Sequence, residues 1–453
     1  MNRIKFISEL ILTVLFIQLF AFSSDAQINQ SILFNPHSQA HASQRLPSLT
    51  GQGFGKFEVT LPAIHFHISN NSLTYREINR LINEPQTNES LAATLNSLEE
   101  SNRLYSNFDF HIVGFHGRIN DSSGEEVISY SASITDRAMF SIHFSKNLFQ
   151  TIYEGNSQFA DEWITLSPFR VDGLYYRDFA LTFAKRISLA GEMSIKPSIR
   201  VRYLQGIGSL QTEKADLAIY TEPNGRYIDF DFDYRFNYAF PDRGGDYVTG
   251  NGHGFGLDLG VNFTPFKQLK LDLAISDIGF INFNRNNTNY SKDKDYRYEG
   301  LQVNFFEDDV FEWSSTDSLE ALFDPEESND PFSVNLQPSI KLLATYGLIS
   351  GSKRNTEYFV HNIYFLYVQG FNKILDQTDI PIISFGYTFS LKNAFNIGPN
   401  ITLGGNHDYA IGLQSSVQGG PFKFMLGSTD LSPIFLRDKG KGADVQASFA
   451  LTF

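Results

Sequence analysis

The stretch "RYIDFDFDYRFNYAF", residues 226–240, sets Tyr or Phe at nearly every second position and fills the gaps with Asp, Arg and Asn. Strict alternation is the period of a β-strand, whose successive side chains point to opposite sides of a sheet. One face carries Phe230, Phe232, Tyr234, Phe236 and Tyr238; the other carries Asp229, Asp231, Asp233, Arg235 and Asn237. Which face meets water decides the fold, and a single strand does not answer it.

The whole chain does. Its 453 residues include 43 Phe and 21 Tyr, yet the hydrophobic fraction is only 42%. Abundant aromatics in a chain that is polar on average fit strands with one apolar and one wet face. Alternation recurs in "GFGLDLGVNF" (254–263), "IISFGYTFSL" (382–391) and "SIKPSIRVRY" (194–203), and about sixteen such runs can be segmented. No run of about 18 apolar residues follows the N-terminus, so helical spans are excluded. Tight turns at "NDSSGE", "EPNGR", "TPFKQ", "SGSKRN" and "QGGPF" are separated by longer links at 145–161, 239–252, 284–331, 372–379 and 430–440. That short-long pattern is the one expected of an outer-membrane barrel, with short turns on the periplasmic side and long loops outside. The expected fold is therefore all-β: a transmembrane antiparallel barrel of about 14 to 16 strands, with a few short helices in its loops.

The N-terminal "MNRIKFISELILTVLFIQLFAFSSDAQ" has Arg3 and Lys5, an apolar stretch from Leu10 to Phe22, and small residues Ser24 and Ala26. This is the layout of a secretory signal cut between Ala26 and Gln27. At the other end, "ADVQASFALTF" places Phe449 and the final Phe453 on one face of an alternating strand, resembling the C-terminal targeting signal read by the barrel-assembly machinery. The aromatic face of 226–240 is then expected to meet lipid. Its partner face, Asp229, Asp231, Asp233 and Arg235, should line a wet lumen with the in-phase Lys196, Arg200 and Arg202 offsetting its charge.

"NQSILFNP" (29–36), "GFGLDLGVNFTPFKQLKLDLAISDIGFINF" (254–283) and the last strand resemble a family of outer-membrane barrels of Bacteroidetes-type bacteria, a domain of unknown function itself similar to the long-chain fatty-acid transporter barrels. The resemblance implies an N-terminal hatch over residues 27–55, with Asn35 and Pro36 matching the family's Asn-Pro step, inside a barrel of residues 56–453. It also implies an uptake channel for small apolar molecules, working as a monomer in outer-membrane lipid with a small hydrophobic ligand. The alternative is a scaffold barrel that binds or hands over exported surface proteins.

Chemistry-bearing patterns are sparse. The D-x-D-x-D of 229–233 has Tyr234 and Phe240 where a calcium loop needs Gly and Glu, so alternation explains it. His65 and His67 share a strand face and His37 and His41 lie four apart, but sequence places no third ligand beside either pair, so no metal is expected. There is no G-x-S-x-G, and no catalytic residues or cofactor are expected. The net charge of −14 argues against nucleic acid as a partner. Residues 72–100 carry helical spacing in two pieces around Pro85, with Leu91, Leu95 and Leu98 as one stripe. Residues 284–331 hold 13 acidic and 4 basic residues, as expected of a solvated extracellular loop.

Overall fold

The computed structural model describes residues 30–52, 55–83, 87–122, 124–299, 325–353, 356–371, 375, 380–405 and 407–453. The expected signal segment and Pro85 lie outside them. Fourteen antiparallel strands make the wall. They are β1 (Phe57–Thr60 and Ala63–Asn70), β2 (Ser101–Asn120), β3 (Glu126–Ser145), β4 (Phe169–Lys185) and β5 (Ser194–Thr221). β6 (Gly252–Phe266), β7 (Leu269–Phe283), β8 (Phe332–Asn335 and Ser339–Lys353), β9 (Thr356–Gly370) and β10 (Ile382–Leu391) follow. The wall ends with β11 (Phe395–Gly404), β12 (His407–Gly419), β13 (Phe422–Ser428) and β14 (Gly442–Thr452).

Each strand pairs with its neighbours in sequence, and β14 returns to β1 through Glu58↔Thr452 and Ile64↔Ala447. Closure leaves no open wall edge, which is what a sheet surrounded by lipid requires. Alternation sorts the side chains as the sequence predicts. On β4, Phe179, Leu181 and Phe183 are exposed, whereas Asp178, Ala180, Thr182 and Ala184 are buried. On β6, Phe255 and Leu259 face out while Asp258 and Asn262 face in. A closed barrel with an apolar exterior and a polar interior is the architecture of the bacterial outer membrane, and this protein is such a barrel.

The links sort to two ends. Residues 121–125, 186–193, 267–268, 392–394 and 420–421 turn at the end where β14 finishes. At the opposite end leave 71–100, 146–168, 284–331, 371–381 and 429–441. The first of these folds as α-helices over Tyr75–Asn83 and Asn88–Ser97, the second capped by a reciprocal Thr87/Ser90 box, with Leu95 and Leu98 buried.

β5 is 28 residues long, against the 9 to 11 or so that cross a bilayer. Its upper half leaves the wall and pairs with the strand Ile228–Ala239, which in turn pairs with Asn287–Tyr298. The stretch 226–240 therefore belongs to a sheet standing above the rim, and the turn "EPNGR" is that sheet's distal tip. This corrects the expectation that its aromatic face meets lipid. Phe230, Phe232 and Tyr234 pack instead on Leu148, Phe159, Ile164 and Leu166, contributed by the link between β3 and β4. A period of two reports a two-faced strand, and protein covers an apolar face as well as lipid does.

Candidate functional site

The lumen is occupied by the chain's own N-terminal segment. Gln30–Leu33 forms one helical turn and Gln39–Ala42 another, with 3-10 turns at Pro36–Ser38 and Pro47–Leu49. Proline at the start of each 3-10 turn supplies the fixed φ, and the Asn35 side chain accepts from His37 N at 3.0 Å to cap the first. Ile32, Leu33, Phe34, Ala42, Leu46 and Leu49 are buried against Ala274, Leu343, Tyr364, Leu366, Val368 and Ile382 of the wall. Phe34 lies 5.3 Å from the Tyr364 ring, and its carbonyl accepts from Thr388 Oγ1 at 2.7 Å and Gln414 Nε2 at 3.0 Å. Ser416 Oγ donates to Asn35 Oδ1 at 2.8 Å.

Two wall glycines make room for this approach. A Cβ on Gly386 would stand 2.6 Å from Phe34 Cδ2, and one on Gly260 would stand 2.9 Å from the Ser48 nitrogen.

Wall cations hold the segment's backbone. Lys196 Nζ donates to Thr50 O at 2.7 Å, Arg200 donates to the carbonyls of Ser43 and Gln44, and Lys341 Nζ reaches Arg45 O at 3.4 Å. In return, Arg45 of the segment pairs with Asp109 on β2. Beyond them lies a buried network. Arg202 bonds Asp178 at 2.8 Å, Asp277 at 2.6 Å and Asp258 at 3.4 Å, and Arg137 pairs with Asp178 at 3.4 Å. A buried charge left unpaired costs several kcal/mol, so mutual compensation is what permits this density of charge inside the wall.

The sequence-predicted residues divide into two groups. Lys196, Arg200 and Arg202 point into the lumen, but their carboxylate partners are Glu126, Asp258, Asp178 and Asp277 rather than the row at 229–233. Asp229, Asp231, Asp233 and Arg235 continue the inner side of the wall, yet stand above the rim in water. Arg297 bonds Asp229 at 2.6 Å, Lys214 pairs with Asp233, and Arg235 with Glu213 at 3.1 Å. The 28-residue length of β5 lifts them clear of the lumen. Asn35 and Pro36 lie against the inner face of β12. Phe449 faces outward in ring contact with Phe424, and Phe453 is exposed beside Phe57 at the short-turn end.

Sequence reading passed over Arg137, Asp109, Asp178 and Asp277. For Arg137, Asp109 and Asp178 the signal was present in phase, since a charge on the inward position of an alternating strand is a lumen residue, whereas Asp277 is turned inward by a bulge that breaks the phase. It also passed over His111 and His116, which meet His41 inside the barrel. His41 meets the His111 ring at 5.1 Å, Thr60 Oγ1 bonds His111 at 2.7 Å and reaches His116 at 3.3 Å, and His37 bonds Ser416. His65 and His67 gain Asp444 as a neighbour from the last strand.

Above the segment, toward the long-loop end, the inward positions turn apolar. Leu174, Leu204, Ile281, Phe283, Leu336 and Leu375 form a second buried cluster, with Phe332 stacked on Phe283 at 5.4 Å between ring centres. Tyr176 joins this cluster to the charged network, its hydroxyl 3.4 Å from Arg202 Nη2.

Residues 48–429 match the family of unknown function DUF5723, and the chain belongs to that family. No curated protein matches it. Among solved structures, the Ralstonia pickettii toluene transporter TbuX is 8% identical over 96% of each chain with a TM-score of 0.45. A Pseudomonas aeruginosa FadL homologue is 8% identical over 93% of this chain and 95% of that one, also at 0.45. The Pseudomonas putida toluene transporter TodX is 8% identical over 95% of each at 0.40. Likeness at this level bears on neither substrate nor mechanism.

Proposed function

We propose that this member of the DUF5723 family is an uptake channel for small apolar molecules, with residues 27–55 acting as a plug that must shift for a molecule to pass. The observation that carries the reading is the vertical order of surfaces inside the barrel. An apolar cluster at the loop end, around Phe283 and Leu336, is followed by the apolar contact between Phe34 and Tyr364 beneath it. A lumen built only to pass water and ions gains nothing from inward Leu, Ile and Phe, whereas an apolar solute gains about 25 cal/mol for each Å² it buries there.

The plug is held by two kinds of bond with different consequences. Apolar packing of Phe34 and Leu46 can be replaced by an entering apolar molecule at little cost. The cationic grip of Lys196, Arg200 and Lys341 on the segment's carbonyls is left in place. Displacement therefore frees the Phe34 side of the segment while the Ser43–Thr50 side stays tethered. Monomeric action in outer-membrane lipid is sufficient for this mechanism.

The test is uptake of a fluorescent apolar probe into vesicles holding the purified barrel, compared with vesicles holding a Phe283→Asp variant. Uptake by the native protein and its loss in the variant is the expected result. Equal uptake by protein-containing and protein-free vesicles, with surface proteins captured from native membranes, would favour the scaffold reading instead.

A further inference from the structure

The first and last strands of the barrel meet at two imidazoles and a carboxylate. His65 and His67 occupy alternate positions of β1 and so face the same way, and Asp444 on β14 lies directly across from His67. One ligand atom from each falls within 4.8 Å of the others, and all three residues are at least nine-tenths buried.

The surroundings fix each group. His65 Nδ1 lies 3.4 Å from Asp109 Oδ2; a ring proton placed on Nδ1 to meet it leaves a lone pair on Nε2. That Nε2 is buried without a hydrogen bond and stands 3.7 Å from Asp444 Oδ2. Asp444 is itself locked, accepting from Ser428 Oγ at 2.8 Å, Thr429 Oγ1 at 2.7 Å and Asp430 N at 3.1 Å. The His67 ring is held by Tyr105, stacked at 6.2 Å between centres. A nitrogen lone pair aimed at a carboxylate is repulsive unless something positive sits between them, and 3.7 Å is too long for a hydrogen bond to supply it.

Either a second proton on His65 or a metal cation would satisfy the arrangement. The convergence of the second imidazole separates them, because a proton shared by His65 and Asp444 needs no His67, whereas a cation needs it. Two imidazoles and a carboxylate are the donor set of zinc and related divalent transition metals, and an outer carboxylate on the distal ring nitrogen is the usual support of such a ligand.

We propose that His65, His67 and Asp444 bind one divalent transition-metal cation, which clasps the closing seam between β1 and β14. Bonds of about 2.0–2.2 Å draw the three ligand atoms together from the 4.8 Å within which they lie. Because Arg45 of the N-terminal segment holds Asp109, the carboxylate behind His65, the seam and the plug share a support.

Untagged full-length barrel, purified in detergent and stripped with a chelator, is titrated with Co²⁺ while visible absorption is recorded, then with Zn²⁺ as competitor. The expected result is a ligand-field band that saturates at one equivalent, is displaced by Zn²⁺, and weakens at least tenfold in affinity in H67Q but not in H253Q. Zn²⁺ should also raise the unfolding temperature of the native barrel and not that of H67Q. Heat-dependent gel mobility reports whether each variant has folded. A native barrel with no saturable band, or one whose band is unchanged in folded H65Q and H67Q, overturns the site; binding without a rise in unfolding temperature overturns the clasp. The native titration decides the matter even if the variants do not fold. Neither outcome depends on whether apolar molecules pass the lumen.

Discussion

Arg202 Nη1 lies 2.6 Å from Asp277 Oδ1, so a guanidinium on β5 reaches past the whole of β6 to a carboxylate on β7. Asp277 is placed for this by a bulge, where its φ of 64° inserts an extra inward residue into β7 opposite Asp258. Arg202→Leu would leave Asp178, Asp258 and Asp277 short of their shared cation. A loss of about 3 to 5 kcal/mol is expected in urea unfolding of the vesicle-reconstituted protein. Adding Asp277→Asn to that variant should recover part of the loss, and purely additive losses would show that the two residues do not act together.

The outer belt and the rim sheet should answer lipid differently. Leu181→Arg on β4 places a charge on the exposed outer face and is expected to cost about 2 to 4 kcal/mol near mid-membrane. Lys214→Met at the rim removes a water-exposed pairing with Asp233 and is expected to leave the unfolding midpoint nearly unchanged. The chain has no native Cys, so single-cysteine variants are clean reporters. A lipid-soluble thiol probe should label Leu181→Cys and spare Phe232→Cys, whose position is covered by Ile164 and Leu166.

Gly386 gives a way to push the plug without touching it. A Cβ there would stand 2.6 Å from the Phe34 ring, so Gly386→Leu should drive Phe34 off the wall while the strand keeps its backbone pairing. Single-channel conductance in planar bilayers is expected to rise, with heat-dependent gel mobility unchanged. Unchanged conductance would mean that the segment does not control the opening.

Residues 284–331 leave the wall at the same end as 71–100 and 429–441, opposite the short turns. With the short turns in the periplasm, a protease added to intact cells should cut this link and leave the wall resistant, because the flanking β7 and β8 remain paired. Cutting that occurs only after the outer membrane is opened would reverse the orientation.

The sequence by itself determined the periodic features. "SIKPSIRVRY", "GFGLDLGVNF" and "IISFGYTFSL" each assign their in and out faces correctly, because a strand's facing depends only on position parity and needs no knowledge of the neighbours. Loop lengths marked the two ends of the barrel except at "EPNGR", which tips the rim sheet, and at 405–406, a short link at the long-loop end. What parity does not carry is height along the barrel axis or identity of the partner. Asp231 and Arg202 sit on equally regular strands, yet one stands in water above the rim and the other is fully buried, a difference set by how far β5 overshoots the wall. Partners are set by closure. His65 and Asp444 are hundreds of residues apart and become neighbours only because the last strand pairs with the first, and the carbonyls that Lys196 and Arg200 bind belong to a segment whose path through the lumen no local pattern encodes. Local chemistry dictates which face a side chain takes; only the closed barrel, folded around its own N-terminus, decides what that face meets.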